Sequence, residues 1–167
     1  MRHPTDFYPT PCSIIVSLLH NLNWRDVHPW EPCAGDGRFA KFIEDYYKVD
    51  VLSHDINTGH DFFEWNHAMR TDIITNPPFK YIRQFIDHAF KIGVKRMALV
   101  CPERMWACQK GYEQKQRHNP SRFINLTWRE DYLNKGGSPD RALAISIWDC
   151  PNSANTSYEV WNKPIRI

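Results

Sequence analysis

The 167-residue sequence predicts an α/β fold: a mostly parallel sheet flanked by helices, with an antiparallel hairpin at its C-terminal edge. Amphipathic helical stripes alternate with short apolar runs of strand length, the pattern of βαβ units. A glycine-containing turn joins one such run directly to a helical stripe. The last two runs have no convincing helical stripe between them, which favours antiparallel pairing.

The elements follow in order. Thr10 reads as an N-cap with Pro11 at the first helical position, and Ile14, Ile15, Leu18, Leu19 and Leu22 form one stripe. A second stripe begins near Arg38 with Phe39, Phe42, Ile43, Tyr46 and Tyr47, and a third runs through Ile82, Phe85, Ile86, Ala89 and Phe90. Strand candidates are His28 to Glu31, Val51 to His54, Asp72 to Thr75, Met97 to Cys101, Phe123 to Trp128 and Leu143 to Trp148. Pro151 to Ser157 reads as a loose tail.

With 42% hydrophobic and 24% charged residues, the chain has the composition of an ordinary soluble domain. A chain of this length buries roughly two-thirds of its unfolded surface, so its core needs no metal or disulfide. Cys12, Cys33, Cys101, Cys108 and Cys150 are scattered without a Cys-x-x-Cys pair and read as reduced thiols. No apolar run approaches the roughly 18 residues of a membrane span, and the N-terminal residues lack the apolar core of a signal peptide. A cytoplasmic location is expected, with no membrane partner.

The net charge of +2 hides an asymmetry. Residues 1–79 carry 6 Lys and Arg against 11 Asp and Glu, whereas residues 80–167 carry 15 against 8. An acidic first half and a basic second half suggest different clients, the basic one suited to phosphate.

Ligands of open α/β sheets collect beyond the carboxyl ends of the strands, and four of these ends carry unusual chemistry. In Glu31-Pro32-Cys33-Ala34-Gly35-Asp36-Gly37 the small residues permit a tight turn and close backbone approach. Its acidic groups, and the absence of the Lys-Ser/Thr of a P-loop, suit a ligand with a positive charge or an amino group rather than a phosphate. Asp55, about 20 residues past the glycines, is placed to accept from ribose hydroxyls, or is simply a turn residue or helix cap. Asp61-Phe62-Phe63 could take an adenine amino proton and stack its ring, or be a core aromatic pair beside a solvated Asp. Asn76-Pro77-Pro78-Phe79 is the sharpest signal. Two prolines stiffen the turn, the Asn76 side chain and Pro77 carbonyl offer rigid acceptors for a planar amino group, and Phe79 offers a ring for the attached base.

These segments, with Asp6-Phe7-Tyr8-Pro9-Thr10-Pro11 ahead of the first helix, resemble the class I S-adenosylmethionine-dependent methyltransferases of the adenine-N6 type. The resemblance covers residues 6 to about 101. It implies a Rossmann-like sheet and S-adenosylmethionine as cofactor. It also implies that Phe7, Tyr8 and Thr10 contact the cofactor's methionine end, and that Glu31, Cys33, Ala34, Gly35 and Gly37 line the same pocket. Asp55 would meet the ribose, Asp61 and Phe62 the adenine, with Ile56 a further cofactor contact, and Asn76 would meet the cofactor as well as the target. Asn76, Pro77, Pro78 and Phe79 would form the catalytic turn. The implied reaction is methyl transfer to an exocyclic amino nitrogen, with N6 of adenine in DNA as the expected target. Phe79 leans toward DNA, since protein-directed and many RNA-directed relatives prefer tyrosine there. Methylation of an RNA base or a protein glutamine amide, and an inactive cofactor-binding partner subunit, are the alternatives.

A single catalytic domain over residues 1–167 is expected, without a separate target-recognition domain. Substrate contacts then fall to residues 104–135, where seven basic residues stand against three acidic ones. Arg104, Lys110, Lys115 and Arg117, interleaved with Trp106 and Tyr112, suit a nucleic acid, DNA in the first instance. A specificity subunit or a homodimer would supply further selection.

Overall fold

The computed structural model describes residues 9–129, 142–151 and 153–165. Chain order is α1 (Cys12–Asn21), β1 (Pro29–Glu31), α2 (Arg38–Tyr47), β2 (Leu52–Ser53), β3 (Asp72–Thr75), α3 (Ile82–Lys91), β4 (Arg96–Pro102), α4 (Gln109–Arg117), β5 (Arg122–Leu126), β6 (Leu143–Trp148) and β7 (Ser157–Trp161). Short 3-10 turns punctuate the strand ends at Ile56–Thr58, Phe62–Glu64, Phe79–Tyr81 and Glu103–Trp106.

The seven described strands form one sheet in the order β2-β1-β3-β4-β6-β5-β7. Pairings β1–β2, β1–β3, β3–β4 and β5–β7 are parallel, whereas β6 runs antiparallel to both β4 and β5. The expected α/β sheet is therefore present, with one correction. The antiparallel β5–β6 pair is not the outermost element, because the residues read as a loose tail lead into β7, which covers β5 in parallel register from Arg122–Ser157 to Leu126–Trp161. Its residues alternate between exposed and half-buried, too weak an apolar signal for periodicity to register. The connection between β5 and β6 spans residues 130–141, outside the described residues.

Two apolar cores sandwich the sheet. Ile74, Ala98 and Val100 face α1 and α2 on one side, while Ile73, Met97, Leu99 and Cys101 face α3 on the other. Alternation along β3 and β4 thus divides neighbouring residues between two buried faces, which is why these strands read as continuous apolar runs. α4 escapes sequence reading because its sequence, QKGYEQKQR, has no apolar stripe, its buried positions being Gly111 and Gln114. Backbone contact replaces side-chain packing there: a Cβ on Gly111 would meet the Trp106 carbonyl oxygen at 2.7 Å. No helix among the described residues is long and apolar enough to cross a membrane.

At the amino end of β3, Asp72 is 1% exposed, yet it is fully partnered. It accepts from the His28 amide at 2.7 Å and from Arg96 Nε and Nη2, each at 2.8 Å. Arg96 also donates to the carbonyls of Arg25 and Asp26 and lies over the Trp24 ring, tying the α1–β1 connection to β3 and β4. Arg96→Met would leave the buried Asp72 charge uncompensated, and a loss of about 3 kcal/mol in urea unfolding is expected.

Candidate active site

The carboxyl ends of β1, β2 and β3 converge at one end of the sheet, together with the turns that follow them. After β1, the chain turns through Ala34 to Gly37, where the Gly37 amide donates to the Ala34 carbonyl at 2.8 Å. Gly35 and Gly37 take φ angles of +57° and +78°, the left-handed region that small turn residues were expected to supply, and α2 begins at Arg38.

Asp55 and the glycine turn hold each other. Asp55 Oδ2 accepts from the Gly35 amide at 2.9 Å, while Oδ1 accepts from the Asn57 amide at 2.9 Å and caps the 3-10 turn. The Ala34 amide donates to the His54 carbonyl, and the His54 amide donates to the Glu31 carbonyl. Asp55 is thus a turn cap, 97% buried, beside the strand-end space.

That space is a cavity of about 590 Å³ lined by Pro32, Cys33, Asp55, Ile56, Asp61 to Phe63 and Pro78, and by Lys80, Tyr81, Gln84 and Phe85. It gathers four sequence-predicted cofactor residues, Cys33, Asp55, Ile56 and Asp61, with Phe62 forming its back wall. Phe62 is core rather than an open stacking surface: it is 5% exposed and stacks on Phe85 with centroids 4.1 Å apart. The accessible ring is Phe63, 40% exposed. Asp61 Oδ1 accepts from the Phe63 amide at 3.0 Å, so the acid orients the aromatic beside it. Lys80, Tyr81 and Gln84 complete the wall, and sequence reading missed them. The available signal was their position immediately after the Pro-Pro turn.

His54 supports the site from behind β2. Its Nδ1 accepts from Trp30 Nε1 at 3.2 Å, and its ring stacks on Trp65 beside His60, itself a cavity residue. Burial, then the neighbouring His60, holds the His54 pKa below the usual histidine range and favours the neutral acceptor form.

Glu31 is the most perturbed acid in this region. It is 1% exposed, its Oε1 accepts from the Cys33 amide at 3.0 Å and from the Thr75 hydroxyl, and its Oε2 is buried without a partner. Desolvation pushes its pKa up to about 8, against the smaller opposing effect of these hydrogen bonds.

The Asn76 turn stands between two surroundings. Pro78 lines the cavity, whereas Phe79 is half-buried against the α1–α2 core, as is Trp128. Asn76 Nδ2 donates to Thr10 Oγ1 at 3.0 Å, and Asn76 Oδ1 is buried without a partner. Thr10 therefore does not cap α1. Pro11 occupies the cap position with no side-chain hydrogen bond, and the helix begins at Cys12. Phe7 and Tyr8 lie outside the described residues.

The basic residues of the segment lie in several different surroundings. Arg104 and Lys110 are exposed on the turn after β4 and at the start of α4. Trp106 turns inward instead: its Nε1 donates to Ser146 Oγ at 3.0 Å, its ring packs on Trp148, and Lys115 Nζ lies 5.9 Å from its centroid. Arg117 pairs with Asp87, and Arg122 with Glu159 at the amino end of β5, opposite the cavity. Tyr112, 60% exposed, lies with Lys115 and Arg117 along a separate groove shared with Asn119, Ser153 and Ala154. Sequence spacing alone could not separate these positions, because the turn of α4 distributes them around a helix.

No protein-family model and no curated protein matches the sequence. In structure the chain is similar to a Listeria monocytogenes protein assigned as a class I S-adenosylmethionine-dependent methyltransferase. The TM-score is 0.64 at 10% identity, covering 97% of this chain and 68% of that one. It is also similar to a Vibrio vulnificus protein assigned as the modification subunit of a type I restriction enzyme, with TM-score 0.64, 12% identity and coverage of 98% and 49%. A third likeness is to the 23S rRNA methyltransferase ErmE, with TM-score 0.58, 11% identity and coverage of 89% and 73%. This chain spans about half the length of the restriction-enzyme subunit. The fold is that of class I methyltransferases.

Glu31 makes stability pH-dependent. Its pKa is higher in the folded protein than the ordinary 4.5, so the folded state binds the extra proton and stability falls as pH rises from about 4.5 through about 8. Glu31→Gln, compared with the parent by thermal unfolding across that range without ligand, is expected to show a shallower loss and to be the more stable protein at pH 8.

Proposed function

We propose that this chain transfers a methyl group from S-adenosylmethionine to an exocyclic amino nitrogen, N6 of adenine in DNA. The observation that carries the reading is the buried, unpartnered Oδ1 of Asn76 in a proline-stiffened turn beside the cavity. A buried acceptor without a donor is costly, and a planar amine is a donor of the right kind.

The chain's residues fit the cofactor. The cavity volume falls within the range of small-molecule sites, and Ile56, apolar yet 46% exposed, joins Pro78 in offering apolar surface to a flat ring. Asp55 would hold ribose hydroxyls and Asp61 the adenine amino group, with Phe63 as the accessible aromatic. Glu31, behind Cys33, would compensate the positive charge of the methionine end, and a cation nearby would draw its proton off. When bound, the cofactor supplies a methyl group on a positively charged sulfur, electrophilic enough to need no acid from the protein.

The chain's part is alignment and electrostatics. Asn76 Oδ1 and the Pro77 carbonyl accept the two amine hydrogens, draw the nitrogen lone pair out of ring conjugation, and stabilise the positive charge that develops on nitrogen. The proton leaves to water after transfer. Phe79 stacks the target base, and in a duplex that stacking offsets part of the few kcal/mol needed to flip the base out. Pro78 borders the cavity and Phe79 the opposite core, so the turn reaches both faces of the sheet. Arg104 and Lys110 would meet phosphates, with target selection shared with a specificity subunit or a second copy.

Incubation with methyl-labelled S-adenosylmethionine and separate pools of DNA, RNA and protein tests the reaction. Label in DNA, reduced at least a hundredfold by Asn76→Ala, is expected; label confined to RNA or protein overturns the DNA assignment, and no label with intact cofactor binding overturns the enzymatic one. Cofactor affinity is expected to strengthen as pH rises toward about 8, with the Glu31→Gln variant showing only the ligand's own titration in calorimetry. For DNA binding, Arg104→Ala is expected to flatten the dependence of log affinity on log salt by about one unit, and Arg117→Ala, already paired with Asp87, to leave it unchanged.

A further inference from the structure

Thr10 lies between Pro9 and Pro11, so its backbone is braced from both sides, and Asn76 is braced by Pro77 and Pro78. Two stiffened segments 66 residues apart therefore meet through one side-chain hydrogen bond, from Asn76 Nδ2 to Thr10 Oγ1 at 3.0 Å. Thr10 is 8% exposed, and its hydroxyl makes no cap for α1, although a threonine before a helix commonly does. Its partner's remaining polar atom, Asn76 Oδ1, is buried and unpartnered.

The two ends of an asparagine amide are nearly the same shape and opposite in hydrogen-bonding sense. Turned one way, the amide offers an acceptor to the site, and turned the other way it offers a donor that would face the donors of an amine. An amide with neither end tethered would sample both orientations. We propose that Thr10 is a positioning residue whose hydroxyl binds Nδ2 of Asn76 and thereby presents Oδ1 to the target amine. The proposal rests on the amine-methylating reading above. It differs from the role that the resemblance implies for Thr10, contact with the methionine end of the cofactor, and the two predict different kinetics.

Thr10→Val preserves shape and removes the hydroxyl, while Thr10→Ser keeps it. With Thr10→Val, kcat is expected to fall about ten- to a hundredfold while the cofactor Kd stays within about twofold, and Thr10→Ser is expected to restore most of the loss. An unchanged kcat, or a loss that tracks weakened cofactor binding, overturns the proposal. A second measurement needs no activity. In isotope-labelled wild-type protein, NMR is expected to find the Asn76 side-chain NH2 protons protected from solvent exchange, with that protection lost in Thr10→Val and kept in Thr10→Ser. Unprotected Asn76 protons in the wild type overturn the positioning role. If the wild type methylates nothing, the reaction assigned above falls, and the NMR result still decides whether Thr10 holds the amide.

Discussion

A carboxyl group shut in at the end of β1 constrains everything around it. Glu31 has one oxygen bound to the Cys33 amide and the Thr75 hydroxyl and the other without a partner, so its proton is held to about pH 8. Desolvation of this size is tolerated when the surrounding structure is over-determined. Here the determination is visible. The backbone of Glu31 pairs with His54, His54 with Ala34, and Asp55 grips Gly35, so that the ends of β1 and β2 form one hydrogen-bonded unit. Thr75 carries the link into β3, and Asn76 follows it directly. The strand-end cavity and the unpartnered Asn76 Oδ1 thereby rest on neighbouring, hydrogen-bonded strand ends.

The same arrangement divides labour across the sheet. Pro78 faces the cavity on the α3 side and Phe79 the α1–α2 side, so a turn of a few residues borders two separate environments. The stiffness of that turn comes from its own prolines, but its placement comes from Thr10 and from the sheet beneath it. At the far end, Asp72 and Arg96 anchor the same β3 strand from below. The strand that presents Asn76 is thus secured at both ends by polar contacts and along its length by Ile73 and Ile74 in two cores.

The strongly periodic helices and the continuous apolar strands were legible in the sequence because their signals come from burial, which periodicity reports directly. α4 and β7 were not. The first is held by backbone approach at Gly111 and by Gln114 bonded to Asp87, and the second is a half-exposed cover strand. The charge asymmetry pointed to a basic surface, but it did not show that Arg117 pairs with Asp87, that Arg122 pairs with Glu159, or that Trp106 packs inward. Charge along a chain says nothing of which residues will find partners across it.

The sequence by itself determined the order of the periodic helices and apolar strands, the tight glycine turn and the acceptor-rich Pro-Pro turn, since each depends on local backbone restriction and nearby residue type. Only the tertiary structure decided that Phe62 is wall and Phe63 is lip, that Lys80, Tyr81 and Gln84 close the cavity, and that Thr10 binds Asn76 rather than its own helix. The physical reason is the same in each case. A hydroxyl, a ring or a cation can serve several partners, and which one it meets is set by packing between segments far apart in the chain.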